Sequence, residues 1–236
     1  IARVCLRYSE LDKSLRFSKG LSEKGYKVFL QPMVTVRYSE DELFKVLDDA
    51  NDMDAYAVYF VDSYGYMLPS DVEYYYELFD KKLNPNIAIG FHAHNNMEMA
   101  LLNVIKLISL RGDRDIIIDS CASGMGQGTG NLQTEVIMNY LNSMHEKHYS
   151  VQEIYRACEI VDRYNLNNLW GYYVPRYIAA QNKTAYKYAM TLSNDYRKGY
   201  AEINDLLSKM TEDLRYRYTP DNTKLLLDRI EGEVLG

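Results

Sequence analysis

The sequence predicts an α/β protein built on a parallel sheet, followed by a helical region. Three observations predict it. Short apolar, β-branched runs alternate with helix-patterned segments at roughly thirty-residue spacing through the first 145 or so residues, the rhythm of βαβ units. The unusual polar residues fall at the C-terminal ends of those runs, where parallel sheets carry their chemistry. After about Tyr149 the strand signal stops and only helical patterns continue. The expected division is residues 1–148 for the sheet-bearing domain and 149–236 for a helical C-terminal region.

Each element has a local reason. Ile1 to Leu6 reads as a strand, and Leu11, Leu15, Phe17 and Leu21 then recur at near-helical spacing up to a stop at Gly25. Lys27 to Leu30 is the second strand. Ser39 caps the next helix, and Glu42, three residues on, completes a capping box. Ala55 to Val61 is the third strand, ending at Asp62-Ser63-Tyr64-Gly65. Ser70 is expected to cap a helix reaching Lys82, with Glu73 in the box position. Ile87 to Phe91 follows Pro85 as the fourth strand, and Met97 to Leu110 as the fourth helix. Ile116 to Asp119 is the fifth strand, and a glycine-rich loop leads into a helix from Leu132 to Met144. In the tail, helices are expected over Val151–Tyr164, Tyr173–Gln181, Tyr200–Met210 and Asp221–Ile230. Two architectures fit five such units: an open doubly wound sheet, or part of a (β/α)₈ barrel, which needs eight.

Composition excludes several classes. A net charge of -6 over 236 residues argues against a nucleic-acid surface. No run approaches the roughly 18–20 apolar residues of a membrane helix. No secretion signal opens the chain, and Cys5, Cys121 and Cys158 are isolated and odd in number, as suits a reducing cytoplasm. The chain opens inside a strand pattern without an initiator Met, which suggests a fragment.

The stretch Gly90-Phe91-His92-Ala93-His94-Asn95-Asn96 carries the strongest chemical signal. Side chains alternate along a strand, so His92 and His94 share one face at its C-terminal end. Such a pair is either two hydrogen-bonded polar residues or two ligands of a divalent cation. Asp62 and Asp119 end the neighbouring strands, each either a loop or cap carboxylate or a functional one. The loop Gly124-Met125-Gly126-Gln127-Gly128-Thr129-Gly130-Asn131 either makes a tight turn or presents backbone N–H groups to an anionic substrate. It lacks the Lys-Ser/Thr of a P-loop and the GxGxxG of a dinucleotide site.

Taken together, His92-Ala93-His94-Asn95-Asn96 and Gly124 through Glu135 resemble the metal-dependent pyruvate aldolase/lyase superfamily, the HMG-CoA lyase-like or DRE-TIM group. The similarity is to its 4-hydroxy-2-oxovalerate aldolase branch, over residues 1 to 145, and extends loosely to Trp170-Gly171-Tyr172. The resemblance implies a TIM barrel, with the five strands here as strands four to eight. It implies a divalent cation (Mn²⁺, Mg²⁺ or Zn²⁺) on His92, His94 and Asn131, with Asp62, Ser63, Asn96, Gly126 and Gly128 toward the substrate. The implied activity is cleavage or formation of a carbon–carbon bond in a 4-hydroxy-2-oxo acid through a pyruvate enolate. The implied partners are a small 2-oxo acid and an aldehyde, with a homo-oligomer or a partner dehydrogenase. The family's first-strand Asp-x-Thr-Leu-Arg-Asp, source of a ligand aspartate and a catalytic arginine, is absent. Leu6-Arg7-Tyr8-Ser9 sits at the wrong strand to replace it. The base is expected to be missing with that motif, and the fragment to be inactive alone. The loop also lacks the cysteine of the CoA lyase branch, which disfavours CoA-ester cleavage. The alternatives are an acetyl-CoA-dependent condensing synthase of the isopropylmalate synthase kind, and a barrel serving only as a binding module.

Overall fold

The computed structural model describes residues 1–165 and 169–234. They divide into two compact units, one of residues 1–63, 67–93 and 99–121, the other of residues 64–66, 94–98 and 122–236.

The first unit holds the sheet. Its strands are β1 (Ala2–Leu6), β2 (Val28–Pro32), β3 (Ala57–Asp62), β4 (Ala88–Ala93) and β5 (Ile116–Ile118). All neighbours pair in parallel, in the order β1-β2-β3-β4-β5. The helices α1 (Leu11–Ser22), α2 (Glu40–Asp52), α3 (Pro69–Lys82) and α4 (Ala100–Leu110) connect them. Strand order decides between the two architectures left open by the sequence. A doubly wound sheet reverses its order at a switch point. Here the order never reverses, so right-handed crossovers place every helix on the same face, as in a barrel wall.

The two faces are distinct in chemistry. On the helix face Phe60 stacks on Phe91 at 4.6 Å and meets Tyr75 and Phe79 of α3 at 6.1 and 5.9 Å. On the opposite face Phe29, Ala57, Tyr59, Val61 and Ala88 form a buried cluster with Ile117 against it. Gly90 lies in this row, where an added Cβ would fall 2.4 Å from the Tyr59 ring. Arg3 of β1 forms an ion pair with Asp119, just after β5. Four strand spacings of about 4.8 Å would hold β1 and β5 some 19 Å apart in a flat sheet, farther than an Arg and an Asp can span. The sheet is therefore curved around the face that carries both residues.

Local capping departs from the sequence reading in places. Ser39 and Glu42 form the expected box on α2. Helix α3 instead begins at Pro69, with the Leu68 N–H donating to Asp71 at 2.8 Å. Proline is pre-set for the first helical position, so Ser70 falls inside the first turn, and Glu73 pairs with Lys106. Helix α4 starts at Ala100 rather than Met97, because Glu98 stands in the left-handed region (φ 58°).

The second unit is helical: α5 (Thr134–Met144), α6 (Val151–Asp162), α7 (Val174–Gln181), α8 (Tyr186–Asn194), α9 (Tyr200–Ser208), α10 (Glu212–Arg215) and α11 (Pro220–Val234). Sequence patterning missed α8 and α10. Helix α8 supplies Tyr188, Ala189 and Leu192 to a core with Ile178, Ile203, Leu206, Leu207 and Leu226. The Tyr188 hydroxyl lies 2.7 Å from the Leu214 carbonyl and 2.8 Å from that of Arg217. No helix among the described residues is long and apolar enough to cross a membrane.

Candidate active site

In the first unit, strand β4 places His92 on the concave face, in register with Val61 of β3. Its Nδ1 lies 3.0 Å from the Asp119 carboxylate. Asp119 also takes the Arg3 guanidinium and, at 3.3 Å, the Tyr59 hydroxyl. Burial works to raise the Asp119 carboxyl, but the hydrogen bonds and charges of His92 and Arg3 outweigh it and hold it below the usual carboxylate range. Burial, joined by the charge of Asp119, pushes the Tyr59 phenol well above its ordinary value. Tyr59 therefore stays protonated and donates. Arg3 lies 4.9 Å over the Tyr59 ring. Neither Arg3 nor Tyr59 was singled out from the sequence; the one available signal was an arginine inside the otherwise apolar run Ile1 to Leu6.

Asp62 and Ser63 hold loops at the end of β3. The nearly inaccessible Asp62 carboxylate accepts the Met67 N–H at 3.0 Å. The Ser63 hydroxyl accepts from Val34 at 2.8 Å, where the backbone turns left-handed.

In the second unit, His94, Asn96, Asn131 and the glycine loop come together. The backbones of His94 and Asn131 form a bridge, and the His94 Nδ1 lies 3.3 Å from the Gln127 carbonyl. Asn96 is buried and ties two loops, accepting the Thr129 N–H at 2.6 Å and donating to the Tyr64 carbonyl at 2.9 Å. The Asn131 amide donates to the Met125 carbonyl at 2.9 Å. Gly128 (φ +68°) lies so close that a Cβ there would sit 2.5 Å from the Asn96 Oδ1, and one on Gly126 would sit 2.6 Å from the Asn131 Nδ2. The loop thus needs glycine for contact as well as for turning. Trp170 closes over it, its indole N–H donating to the Ser123 carbonyl at 2.9 Å.

The two histidines share one property, each within its own unit. Both turn Nδ1 toward an oxygen acceptor, Asp119 for His92 and the Gln127 carbonyl for His94. In a neutral ring, a proton on Nδ1 in either contact would leave the lone pair on Nε2, the tautomer in which imidazole ligates a cation. The donor chemistry fits a divalent ion, although among the described residues no three His, Cys, Asp or Glu side chains are grouped to hold one.

The sequence matches a family model. The HMGL-like model covers residues 9–161, and the chain belongs to that family. Among curated proteins, the 4-hydroxy-2-oxovalerate aldolase of Shewanella pealeana is 37% identical over 149 residues, 62% of this chain and 42% of that one. The oxaloacetate decarboxylase of Mycobacterium tuberculosis is 29% identical over 136 residues, 58% of this chain and 39% of that one. The chain thus spans about two fifths of the length of these relatives. Among solved structures, the N-terminal domain of a Bacteroides vulgatus protein assigned as an aldolase aligns with a TM-score of 0.75 at 23% identity. That alignment covers 85% of this chain and 64% of the other, and the likeness is one of fold.

Proposed function

We propose that the protein carrying this chain is a divalent-cation-dependent carbon–carbon lyase acting on a 4-hydroxy-2-oxo acid. The observation that carries the reading is the orientation of His92 and His94, each with Nδ1 toward an oxygen, in a chain of this family. As the family resemblance implies, His92, His94 and Asn131 would hold the cation. A bound divalent cation would neutralise the charge that develops on the 2-oxo acid as the bond breaks. Cleavage leaves the bond's electron pair on the three-carbon fragment as the enolate of pyruvate and releases an aldehyde. The residues of this chain fix the site's shape. Asp119 and the Gln127 carbonyl keep the imidazole protons on Nδ1. Asn96 clamps the loop whose Gly126 and Gly128 backbone lies toward the substrate carboxylate, and Asp62 and Ser63 fix the loops after β2 and β3. The base for the 4-hydroxyl is assigned to no residue of this chain.

The test is pyruvate release from 4-hydroxy-2-oxovalerate, coupled to lactate dehydrogenase, by protein stripped with a chelator. Activity restored by Mn²⁺ or Mg²⁺ and lost in His92→Ala supports the reading. Full activity in the stripped protein, or in His92→Ala, contradicts it. The decarboxylase relative carries a second reading, because loss of carbon dioxide from oxaloacetate leaves the same enolate. Turnover of oxaloacetate but not of the hydroxy acid would select it.

A further inference from the structure

We propose that Arg3 is a positioning residue that acts on His92 through Asp119, fixing the orientation and proton location with which that ring meets a cation. The proposal rests on the cation reading above and adds a residue to it, on β1 at the sheet edge, three strands from the histidine on β4.

The geometry is a relay across the concave face. Arg3 stands on β1 and Asp119 follows β5, and their ion pair closes the curve of the sheet. Asp119 offers two oxygens. Oδ2 faces both His92 Nδ1, at 3.0 Å, and the Arg3 guanidinium, while Oδ1 lies 3.3 Å from the Tyr59 hydroxyl. Three groups thus set the position of a largely buried carboxylate. The guanidinium is itself held from below, 4.9 Å over the Tyr59 ring and 6.0 Å from the Phe29 ring centre. A guanidinium stacked on aromatic faces and paired to a carboxylate is planar, directional and permanently charged, which a lysine would not reproduce. Its placement has a chemical consequence. A carboxylate bonded to Arg3 and Tyr59 is committed as an acceptor, so it serves as the partner of the imidazole N–H. Without Arg3 the same carboxylate is free to rotate toward the cation or toward water, and the ring loses its fixed partner. Carboxylates that orient a ligating histidine in this way are worth about 10–100-fold in metal affinity when removed.

The signature of action through Asp119 is non-additivity. The experiment titrates chelator-stripped protein with Co²⁺, followed by visible absorption, for wild type, Asp119→Ala, Arg3→Met and the double variant. The expected result is about 10–100-fold weaker binding in each single variant, with the double variant no worse than Asp119→Ala alone. Arg3→Met binding within twofold of wild type, or single effects that multiply in the double, overturns the proposal. His92→Ala separates the two layers. If it binds Co²⁺ as wild type does, the cation reading fails. The positioning role is then judged on cation-free protein, by side-chain ¹⁵N–¹H correlation spectra of the histidines. There a wild-type His92 protonated on Nδ1, with the proton moved toward Nε2 in Arg3→Met, supports the relay. An unchanged tautomer in Arg3→Met overturns it. Should Arg3→Met fail to fold, Arg3→Lys takes its place in both measurements, with the same outcomes expected in weaker form.

Discussion

Gly90→Ala puts the packing of the concave face to a sharp test. A Cβ at Gly90 would lie 2.4 to 2.5 Å from three atoms of the Tyr59 ring. The ring cannot swing away freely, because Tyr59 is fully buried among Phe29, Ala57, Val61 and Ala88. Backing off to ordinary contact requires a shift of about 1 Å, since real contacts between carbons begin near 3.5 Å. Forced overpacking of this kind costs about 1–3 kcal/mol. The same shift stretches the 3.3 Å bond from the Tyr59 hydroxyl to Asp119 past its limit, adding about 1 kcal/mol. The expected loss is about 2–4 kcal/mol, read from the urea midpoint at constant slope. An unobstructed strand glycine would behave oppositely: alanine would stabilise it by about 0.4–1 kcal/mol through the unfolded chain. The sign of the change is therefore diagnostic. Pairing Gly90→Ala with Tyr59→Leu removes the obstructing ring, and the double variant should lose less than the two single losses summed. A Gly90→Ala protein as stable as wild type, or more stable, would refute the packing of Tyr59 over β4.

Two further predictions concern the scaffold. Arg114, whose side chain is nearly buried, donates to the Asn84, Ile87 and Leu83 carbonyls at 2.6, 2.7 and 3.0 Å and pairs with Asp80. Arg114→Ala removes these bonds from partly exposed oxygens and should cost about 1–3 kcal/mol by denaturant unfolding, as for hydrogen bonds to a charged group; a loss under about 0.5 kcal/mol would show that water replaces the guanidinium. The Glu42 carboxyl is held low by the Ser39 N–H first and by the Tyr8 hydroxyl second. Its folded value lies below its unfolded one, so its contribution is present above the ordinary glutamate range and fades as pH falls through the folded value. Glu42→Gln should remove that part of the acid limb of stability while costing about 0.5–1 kcal/mol near neutrality, and an unchanged acid limb would contradict the assignment.

The alternation of strands and helices was legible because each element carries its own period. The direction of curvature was not, since it depends on Arg3 meeting Asp119 across 116 positions of sequence. The same limit hid the Tyr59 and Arg3 contacts to Asp119, while the histidine pair was visible at once because its members are two residues apart. Strand order settled barrel wall against doubly wound sheet, a choice that identical local patterns leave open. Proline at position 69 outcompeted the Ser70 cap, and α8 was missed because its tyrosines and threonine weaken the helical pattern while its burial comes from the surrounding helices. The glycine loop was legible as either a tight turn or an anion cradle, but its close contact with Asn96 and Asn131 was not, because those residues meet it only in the fold.

Cation binding by His92 and His94 is a proposal that one spectroscopic titration can decide. Electron paramagnetic resonance of Mn²⁺ titrated into chelator-stripped protein tests it most directly, because the free aquo ion's signal disappears on binding. The expected result is one bound Mn²⁺ per molecule of the intact protein and no saturable binding in its His92→Ala/His94→Ala double variant. Equal binding by the folded double variant would contradict it.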